Sequence, residues 1–405
     1  MKILWVKTDF LHPTDRGGQI RTLETLRRLH PLHEVHYLAY DNPAQPEGLA
    51  RAHEYCSFAY PVTHHIPEKT SPAFFLQLLQ GLISPLPVAV ARWKSDAFAQ
   101  QFATVTAQHP FDCIVCDFLF PAANIPDISR CVLFQHNVEA QIWDRHAEQG
   151  RTPLHRWYFG LQAKRMAAFE AEICRKAQSI IAVSEADAIL MRQRYGSPRV
   201  SSVPTGVDVD FFRPLTASPP QADPPQADPP KTDLVFLGSM DWMPNIDGML
   251  WFAQDIWPLI RAQRPTTTLA IVGRKPSPKI QALAQLPGIS VTGTVPDVRP
   301  YLHGAKTSIV PLRIGGGTRL KIYESMAAQV PVISTAIGAE GLDWTDGKNI
   351  LIADSPAAFA QSCLELLAQP QRARQLADSA FALVDQHYSW QAITHQFESL
   401  LRPPA

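Results

Sequence analysis

Much of what marks other protein classes is missing from this chain. Neither sign of charge is in excess: Lys plus Arg and Asp plus Glu each number 37, giving a formal net charge of zero. A general affinity for polyanions is therefore not expected, and nucleic acid is not an expected partner. No apolar run approaches the length of a membrane span. The opening Met1-Lys2-Ile3-Leu4-Trp5-Val6-Lys7 is too short and wrongly flanked for a secretory signal, so the cytoplasm is the expected compartment. Cysteine is sparse and scattered, at Cys56, Cys113, Cys116, Cys131, Cys174 and Cys363. Cys113 and Cys116 form a C-x-x-C inside the strand-like run Phe111 to Cys116, with no second pair to complete a zinc site. Packed thiols and no metal are expected there. No G-x-G-x-x-G with a following acid marks a dinucleotide site. No G-x-S-x-G elbow marks a serine hydrolase.

What is present is a globular composition, 46% hydrophobic and 18% charged, over 405 residues, a natural length for two domains. The tract from Arg213 to Thr232 repeats Pro-Pro-Gln-Ala-Asp and favours extended polyproline II. On either side, strand and helix signals alternate, which reads as α/β with a Rossmann-like sheet in each half. The expected division is residues 1–212, a linker over 213–232, a second domain over 233–387, and a final helix from Ser389 within 388–405. Expected strands in the first half are Ile3–Val6, Val35–Ala39, Cys113–Cys116, Val132–Gln135, Ser179–Val183 and Ser201–Val203. In the second they are Leu234–Leu237, Leu269–Val272, Ile289–Val291, Ser308–Pro311, Val332–Ser334 and Asn349–Ile352.

The most informative stretch is Gly315-Gly316-Gly317-Thr318-Arg319-Leu320-Lys321, running on to Glu324 and Ala328. It follows a strand-like run and opens a helix. Glycines let backbone approach a ligand, Thr318 is placed to cap the helix, and the free N–H groups at its start form an anion site. Arg319 and Lys321 add two cations, and Glu324 is placed to accept hydrogen bonds from a pair of hydroxyls. Phosphate, cations and a diol-binding carboxylate are the needs of a nucleoside diphosphate. The bland alternative is a glycine turn capping an ordinary helix.

The segment Val310 to Gly341 resembles the donor-binding signature of the retaining glycosyltransferases of family 4, which have the GT-B fold. Gly17-Gly18, His136-Asn137-Val138-Glu139, Ala182-Val183-Ser184, Pro204-Thr205-Gly206-Val207-Asp208, Gly238-Ser239-Met240 with Pro244-Asn245, and Ile271-Val272-Gly273 follow in the family's order. The resemblance implies two Rossmann-like domains facing each other across a cleft, the last helix crossing back to the first. It implies transfer of a sugar from a nucleotide-diphosphate sugar to a glycan or lipid-linked acceptor in cell-surface polysaccharide biosynthesis. That sugar nucleotide is a co-substrate; no other cofactor and no metal is expected.

By resemblance, His136, Arg319 and Lys321 carry the chemistry. Gly17, Gly18, Gly238, Arg274, Gly315, Gly316, Gly317, Thr318 and Glu324 bind the donor, and Arg21 and Glu139 lie on the acceptor side. Glu139 is placed either to orient His136 or to cap a helix. Two departures stand out. Members often carry an Arg and a Lys after the second domain's first strand, but Gly238 to Asn245 has no basic residue. Arg274, Lys275, Arg319 and Lys321 are the candidate replacements. The first of the family's two donor-site glutamates is replaced by Gly316, which keeps a non-catalytic sugar-nucleotide-binding or partner-binding protein open; an epimerase is a third alternative. Asp208-Val209-Asp210 has a metal-binding D-x-D form but sits on a structural loop. The apolar stretch Pro72 to Val90 reads as core packing or as a peripheral contact with the inner membrane face. Helix Leu154–Ala177 carries Arg156, Lys164, Arg165, Arg175 and Lys176, which reads as a face toward anionic lipid or, with Glu170 and Glu172 among them, as a solvated face, the reading preferred.

Overall fold

Runs such as Ile3–Val6, Tyr37–Tyr40 and Cys131–Phe134 are apolar residue after residue, the pattern of parallel strands covered on both faces. They form such strands. The structure, a computed structural model, describes residues 1–14, 17–64, 71–72, 78, 81–148, 152–197, 199–214, 231–314 and 320–402. The repeated Pro-Pro-Gln-Ala-Asp tract and part of the Pro72–Val90 stretch lie outside the described residues. The chain divides into two compact units, Met1–Pro204 with Ile393–Ala405, and Thr205–Ala392.

The first unit holds a seven-stranded parallel sheet in the order β3-β2-β1-β4-β5-β6-β7. Its strands are β1 (Lys2–Val6), β2 (Glu34–Asp41), β3 (Phe58–Thr63), β4 (Cys113–Asp117), β5 (Cys131–Gln135), β6 (Ser179–Ala182) and β7 (Val200–Ser202). The principal helices are α1 (Gly17–Leu29), α2 (Asp96–Gln108), α3 (Glu139–Glu148), α4 (Pro153–Lys176) and α5 (Glu185–Tyr195). Ser95, Thr152 and Ser184 cap α2, α4 and α5 by accepting backbone N–H groups. Two elements escape the sequence pattern. Pro61 argues against a strand at Phe58–Thr63, yet β3 is an edge strand, where a missing N–H is tolerated. Helix α3 is short and mostly polar, and its first turn is held from outside, as described below.

The second unit holds a six-stranded parallel sheet, β10-β9-β8-β11-β12-β13. Its strands are β8 (Thr232–Leu237), β9 (Leu269–Val272), β10 (Ile289–Gly293), β11 (Ala305–Val310), β12 (Val332–Ser334) and β13 (Leu351–Ile352). Its principal helices are α6 (Met243–Trp251, continuing through a π turn at Phe252–Ile256 into Trp257–Gln263), α7 (Leu320–Ala327), α8 (Pro356–Ala368) and α9 (Pro370–Leu383). Pro258, which cannot donate to the helix ladder, is the second residue after that π turn.

The second unit begins at Thr205, earlier than the 213–232 linker placed it, for a packing reason. Val207, Val209 and Phe212 belong to its buried core. Gly206 sits so close to Trp390 that a Cβ would lie 2.6 Å from the indole. Val207 exchanges backbone hydrogen bonds with Tyr388 and Trp390. The last helix, α10 (Trp390–Leu401), is capped by Ser389. From Ile393 onward it belongs to the first unit, where Phe397 packs on Trp5 and Phe134 at centroid distances of 5.7 and 4.8 Å.

Candidate functional site

Ligands of open parallel sheets bind outside the carboxyl ends of the strands, where strand order reverses. In the first unit the reversal lies between β1 and β4. Lys7 follows β1, Asp117 ends β4, and His136 follows β5. Asp117 is in register with Phe134, which brings the residue two places on, His136, to the same end of the sheet.

Asp117 is 0% exposed and faces four donors. Its Oδ1 accepts from His136 Nε2 at 2.8 Å. Its Oδ2 accepts from Trp5 Nε1 at 2.8 Å and Thr22 Oγ1 at 2.7 Å, and Lys7 Nζ lies 3.0 Å away. Burial alone would raise this carboxyl, but Lys7, His136 and Thr22 outweigh it and hold it well below the usual carboxylate range. The buried charge is thus paired and hydrogen-bonded, the condition under which burial is tolerated.

His136 takes its tautomer from this arrangement. Arg21 Nη1, which can only donate, lies 3.4 Å from Nδ1. Nδ1 therefore carries the lone pair and Nε2 the proton given to Asp117. Burial pushes the imidazole down to about 4 despite the attraction of Asp117, so it is neutral at physiological pH. Burial also lowers the Arg21 guanidinium, to about 10, against the pull of Asp117 and Asp187. Phe118 holds the left-handed conformation (φ 72°), uncommon for an aromatic residue, and stacks its ring on His136 at 4.1 Å and 5°. A Cβ on Gly18 would lie 3.0 Å from that ring and 3.5 Å from His136 Nδ1, whereas one on Gly17 would meet nothing within 4 Å. Of the two glycines, Gly18 is the one the site requires.

Asp117, not Glu139, orients His136. Sequence reasoning missed Asp117, and its signal was an acid ending an otherwise apolar strand. Glu139 is buried at the start of α3, with Asn137 Nδ2 at 3.4 Å; burial and Glu170 raise its carboxyl to about 7. Glu170 was read as part of a solvated face. It is instead 0% exposed, because α4 presents it inward toward β5 and α3; Glu172 alone of the pair is exposed.

In the second unit strand order reverses between β8 and β11. Gly238 follows β8, and a Cβ there would lie 2.7 Å from Asn245 Nδ2 and 2.8 Å from Lys321 Nζ. Asn245, buried in the first turn of α6, gives its amide N–H to Ser239 O at 2.8 Å and accepts from Lys321 Nζ at 2.8 Å. The Lys321 ammonium also stands 4.3 Å over the Phe236 ring. Glu324, one turn along the same face of α7, is half-buried and its carboxylate has no hydrogen bond or ion pair among the described residues; burial raises its carboxyl and Lys321 opposes this. Arg274 is exposed and gives Nε–H to Ser239 Oγ at 3.0 Å, which joins it to the same loop. Gly238, Arg274, Lys321 and Glu324 therefore share one strand-end cluster, and Asn245 is a member that was quoted only as a motif residue. Gly315, Gly316, Gly317, Thr318 and Arg319 lie outside the described residues. Asp208 caps the turn Val209–Phe212 by accepting from Phe211 N at 3.0 Å.

Both units thus carry polar clusters where Rossmann-like sheets bind ligands. Comparison with known proteins gives the class. The family model Glycosyltransferase Family 4 matches residues 16–211, and Glycosyl transferases group 1 matches residues 231–369. The chain belongs to these glycosyltransferases. The whole chain has the GT-B fold of solved relatives. It is similar to sucrose-phosphate synthase from Thermosynechococcus elongatus (17% identity, TM-score 0.65, covering 99% of this chain and 98% of that one). It is similar to Anabaena HepE in complex with UDP (14%, 0.62, 99% of each). It also resembles WaaG, a glycosyltransferase involved in lipopolysaccharide biosynthesis (14%, 0.59, 99% and 100%). A curated relative, an uncharacterized 44.6 kDa protein in the cps region of Klebsiella pneumoniae, is 22% identical over 164 residues. That match covers 38% of this chain and only 42% of the relative's length. No described helix is long and apolar enough to cross a membrane.

Proposed function

We propose that the protein is a retaining, metal-independent glycosyltransferase that moves a sugar from a nucleotide-diphosphate sugar to a glycan or lipid-linked acceptor in polysaccharide biosynthesis. The observation that carries this reading is the pairing of Lys321 and Glu324 on one face of α7 at the β8–β11 reversal, braced by Asn245 and Gly238. The ammonium is placed to stabilise charge developing on a leaving diphosphate. The carboxylate of Glu324, which no described residue hydrogen-bonds, is suited to a ribose diol. HepE was solved with UDP and with UDP-glucose, which makes UDP-sugars the first donors to try.

In the first unit, neutral His136 directs its one Nδ1 lone pair at Arg21 Nη1, so a substrate hydroxyl donates to it only by displacing or sharing that contact. Asp117 has its lone pairs occupied by donors and is a poor nucleophile. This favours a front-face route, in which the leaving phosphate takes the acceptor's proton, over a double displacement on Asp117. Turnover that survives chelation of divalent cations supports the metal-free part; loss on chelation with recovery on adding Mn²⁺ sinks it. A peripheral membrane contact belongs to the same reading. Leu154 and Trp157 are 69% and 58% exposed at the start of α4, and no acidic residue occurs from Thr152 to Arg165. Co-sedimentation with anionic vesicles, weakened by Trp157→Ala, tests it; no sedimentation of the wild type removes it.

The main test is thermal stabilisation of the wild type by UDP-, GDP-, ADP- and dTDP-sugars, with Glu324→Ala and Lys321→Ala as controls. A ligand at a hundred times its dissociation constant adds about 2.7 kcal/mol. A shift with one nucleotide class that both substitutions abolish supports the reading. No shift with any donor overturns it.

A further inference from the structure

We propose that Glu170, which no motif singles out, is the positioning residue of the His136 turn, holding residues 135–140 from behind while Asp117 holds the ring from in front. Both oxygens of its buried carboxylate are used. Oε1 accepts from Gln135 Nε2 at 2.9 Å and from Glu139 N at 3.0 Å. Oε2 accepts from Ala140 N at 2.8 Å and from the Tyr195 hydroxyl at 2.6 Å. The partners are the residue before His136, the first two N–H groups of α3, and the last residue of α5.

A helix leaves its first N–H groups without internal partners, and side chains of the preceding turn usually satisfy them. Here a carboxylate from a different helix, 30 and 31 residues away in sequence, takes two of them. Its negative charge also complements the positive end of the α3 dipole. The turn between Gln135 and Glu139 is therefore pinned at both ends by one rigid group on α4. His136 lies inside that turn, and its 2.8 Å bond to Asp117 depends on where the turn sits. Tyr195 completes the arrangement by aiming the carboxylate. Burial pushes the Glu170 carboxyl up, and the bonds from Tyr195, Ala140 N and Glu139 N oppose this by favouring the charged form, so the same bonds that fix the His136 turn sustain the charge.

The effect on turnover rests on the transferase reading, but the effect on His136 does not, so the test reads both. ¹⁵N-histidine NMR reports the His136 tautomer and its bond to Asp117. Two variants are compared with wild type: Glu170→Gln, which keeps size and removes charge, and Tyr195→Phe, which removes one donor and leaves the carboxylate. The expected result is displaced His136 ring signals in both, larger in Glu170→Gln, with nucleotide-induced stabilisation of the second unit retained. Turnover should fall about a hundredfold in Glu170→Gln, the scale of a misplacement of about 1 Å, with the donor KM little changed. Unchanged His136 signals in a folded Glu170→Gln overturn the proposal. If that variant does not fold, Tyr195→Phe decides: displaced signals support the proposal, and wild-type signals overturn it. Displaced signals in a protein that transfers no sugar would leave the positioning role standing and remove the transferase reading.

Discussion

The two strand-end clusters use charge in opposite ways. In the first unit Asp117, Lys7, Thr22, Trp5 and His136 satisfy one another, and the result is a buried, pre-set imidazole. In the second unit Glu324 is half-buried with no partner among the described residues, and the Lys321 ammonium is braced beside a glycine loop. A saturated cluster is structural in its energetics and acts by orienting one group. An unsaturated one contributes little to folding and gains its partners from a ligand. Substitutions should therefore separate the two: stability in the first unit, affinity in the second.

The largest expected effect follows from breaking the saturated cluster. Lys7→Met leaves Asp117 buried beside fewer donors and should destabilise by about 3–5 kcal/mol, the usual result of removing one partner of a buried pair. Asp117→Asn should have a similar effect through Lys7. The double variant should be less destabilised than the sum of the two, because each residue's burial then no longer strands a charge. Denaturant titration checks this, and additivity of the two losses would show that the charges act independently.

The opposite outcome is expected of Glu324→Ala. Its midpoint of unfolding should stay close to wild type, while nucleotide affinity falls about tenfold to a hundredfold, as for hydrogen bonds to a charged group. Calorimetric titration with the nucleotide identified by the donor panel measures it. A large stability loss with unchanged affinity would invert the comparison and make Glu324 a scaffold residue.

These contrasts explain what the sequence made legible. The strands were readable because parallel strands buried on both faces are apolar throughout, as in Leu234–Leu237 and Leu269–Val272. The closeness of Lys321, Glu324 and Gly238 was readable because all three sit at short offsets from strand ends of one parallel sheet. Asp117 and Glu170 were not, because their roles arise from register and helix facing. Asp117 matters through the pairing of β4 with β5, and Glu170 through which side of α4 meets β5 and α3. An acid on a charged helix looks the same in sequence whether it faces water or a neighbouring helix's N–H groups.

A pH series sharpens the comparison inside the first unit. Glu139 is raised from 4.5 to about 7 by burial and by Glu170, so the fold favours its protonated form. Its contribution is fully present below pH 4.5 and is lost as pH rises to about 7. His136 runs the other way. Lowered from 6.5 to about 4 by burial, it contributes fully above 6.5 and its contribution is lost as pH falls toward 4. The two slopes oppose each other, each at most about 1.4 kcal/mol per pH unit. Between pH 4.5 and 6.5 the two slopes offset each other, so Glu139→Gln should unmask a steeper loss of stability on acidification from His136. Melting temperatures from pH 4 to 8 show whether it does; an unchanged profile would mean that Glu139 already titrates as an ordinary carboxyl.

The smallest effect is also the most local. Gly17 and Gly18 are adjacent and read alike, yet only Gly18 lies under the Phe118 ring that stacks on His136. Gly18→Ala should push that ring off the imidazole and destabilise by about 1 kcal/mol, in the range of mild overpacking. Gly17→Ala, at the open start of α1, should be neutral or stabilise by up to about 1 kcal/mol through lower chain entropy in the unfolded state. If both alanines behave alike, the contact between Gly18 and Phe118 does not set the approach of α1 to His136. If they split, the pair of glycines resolves into one residue required by the site and one that merely starts a helix.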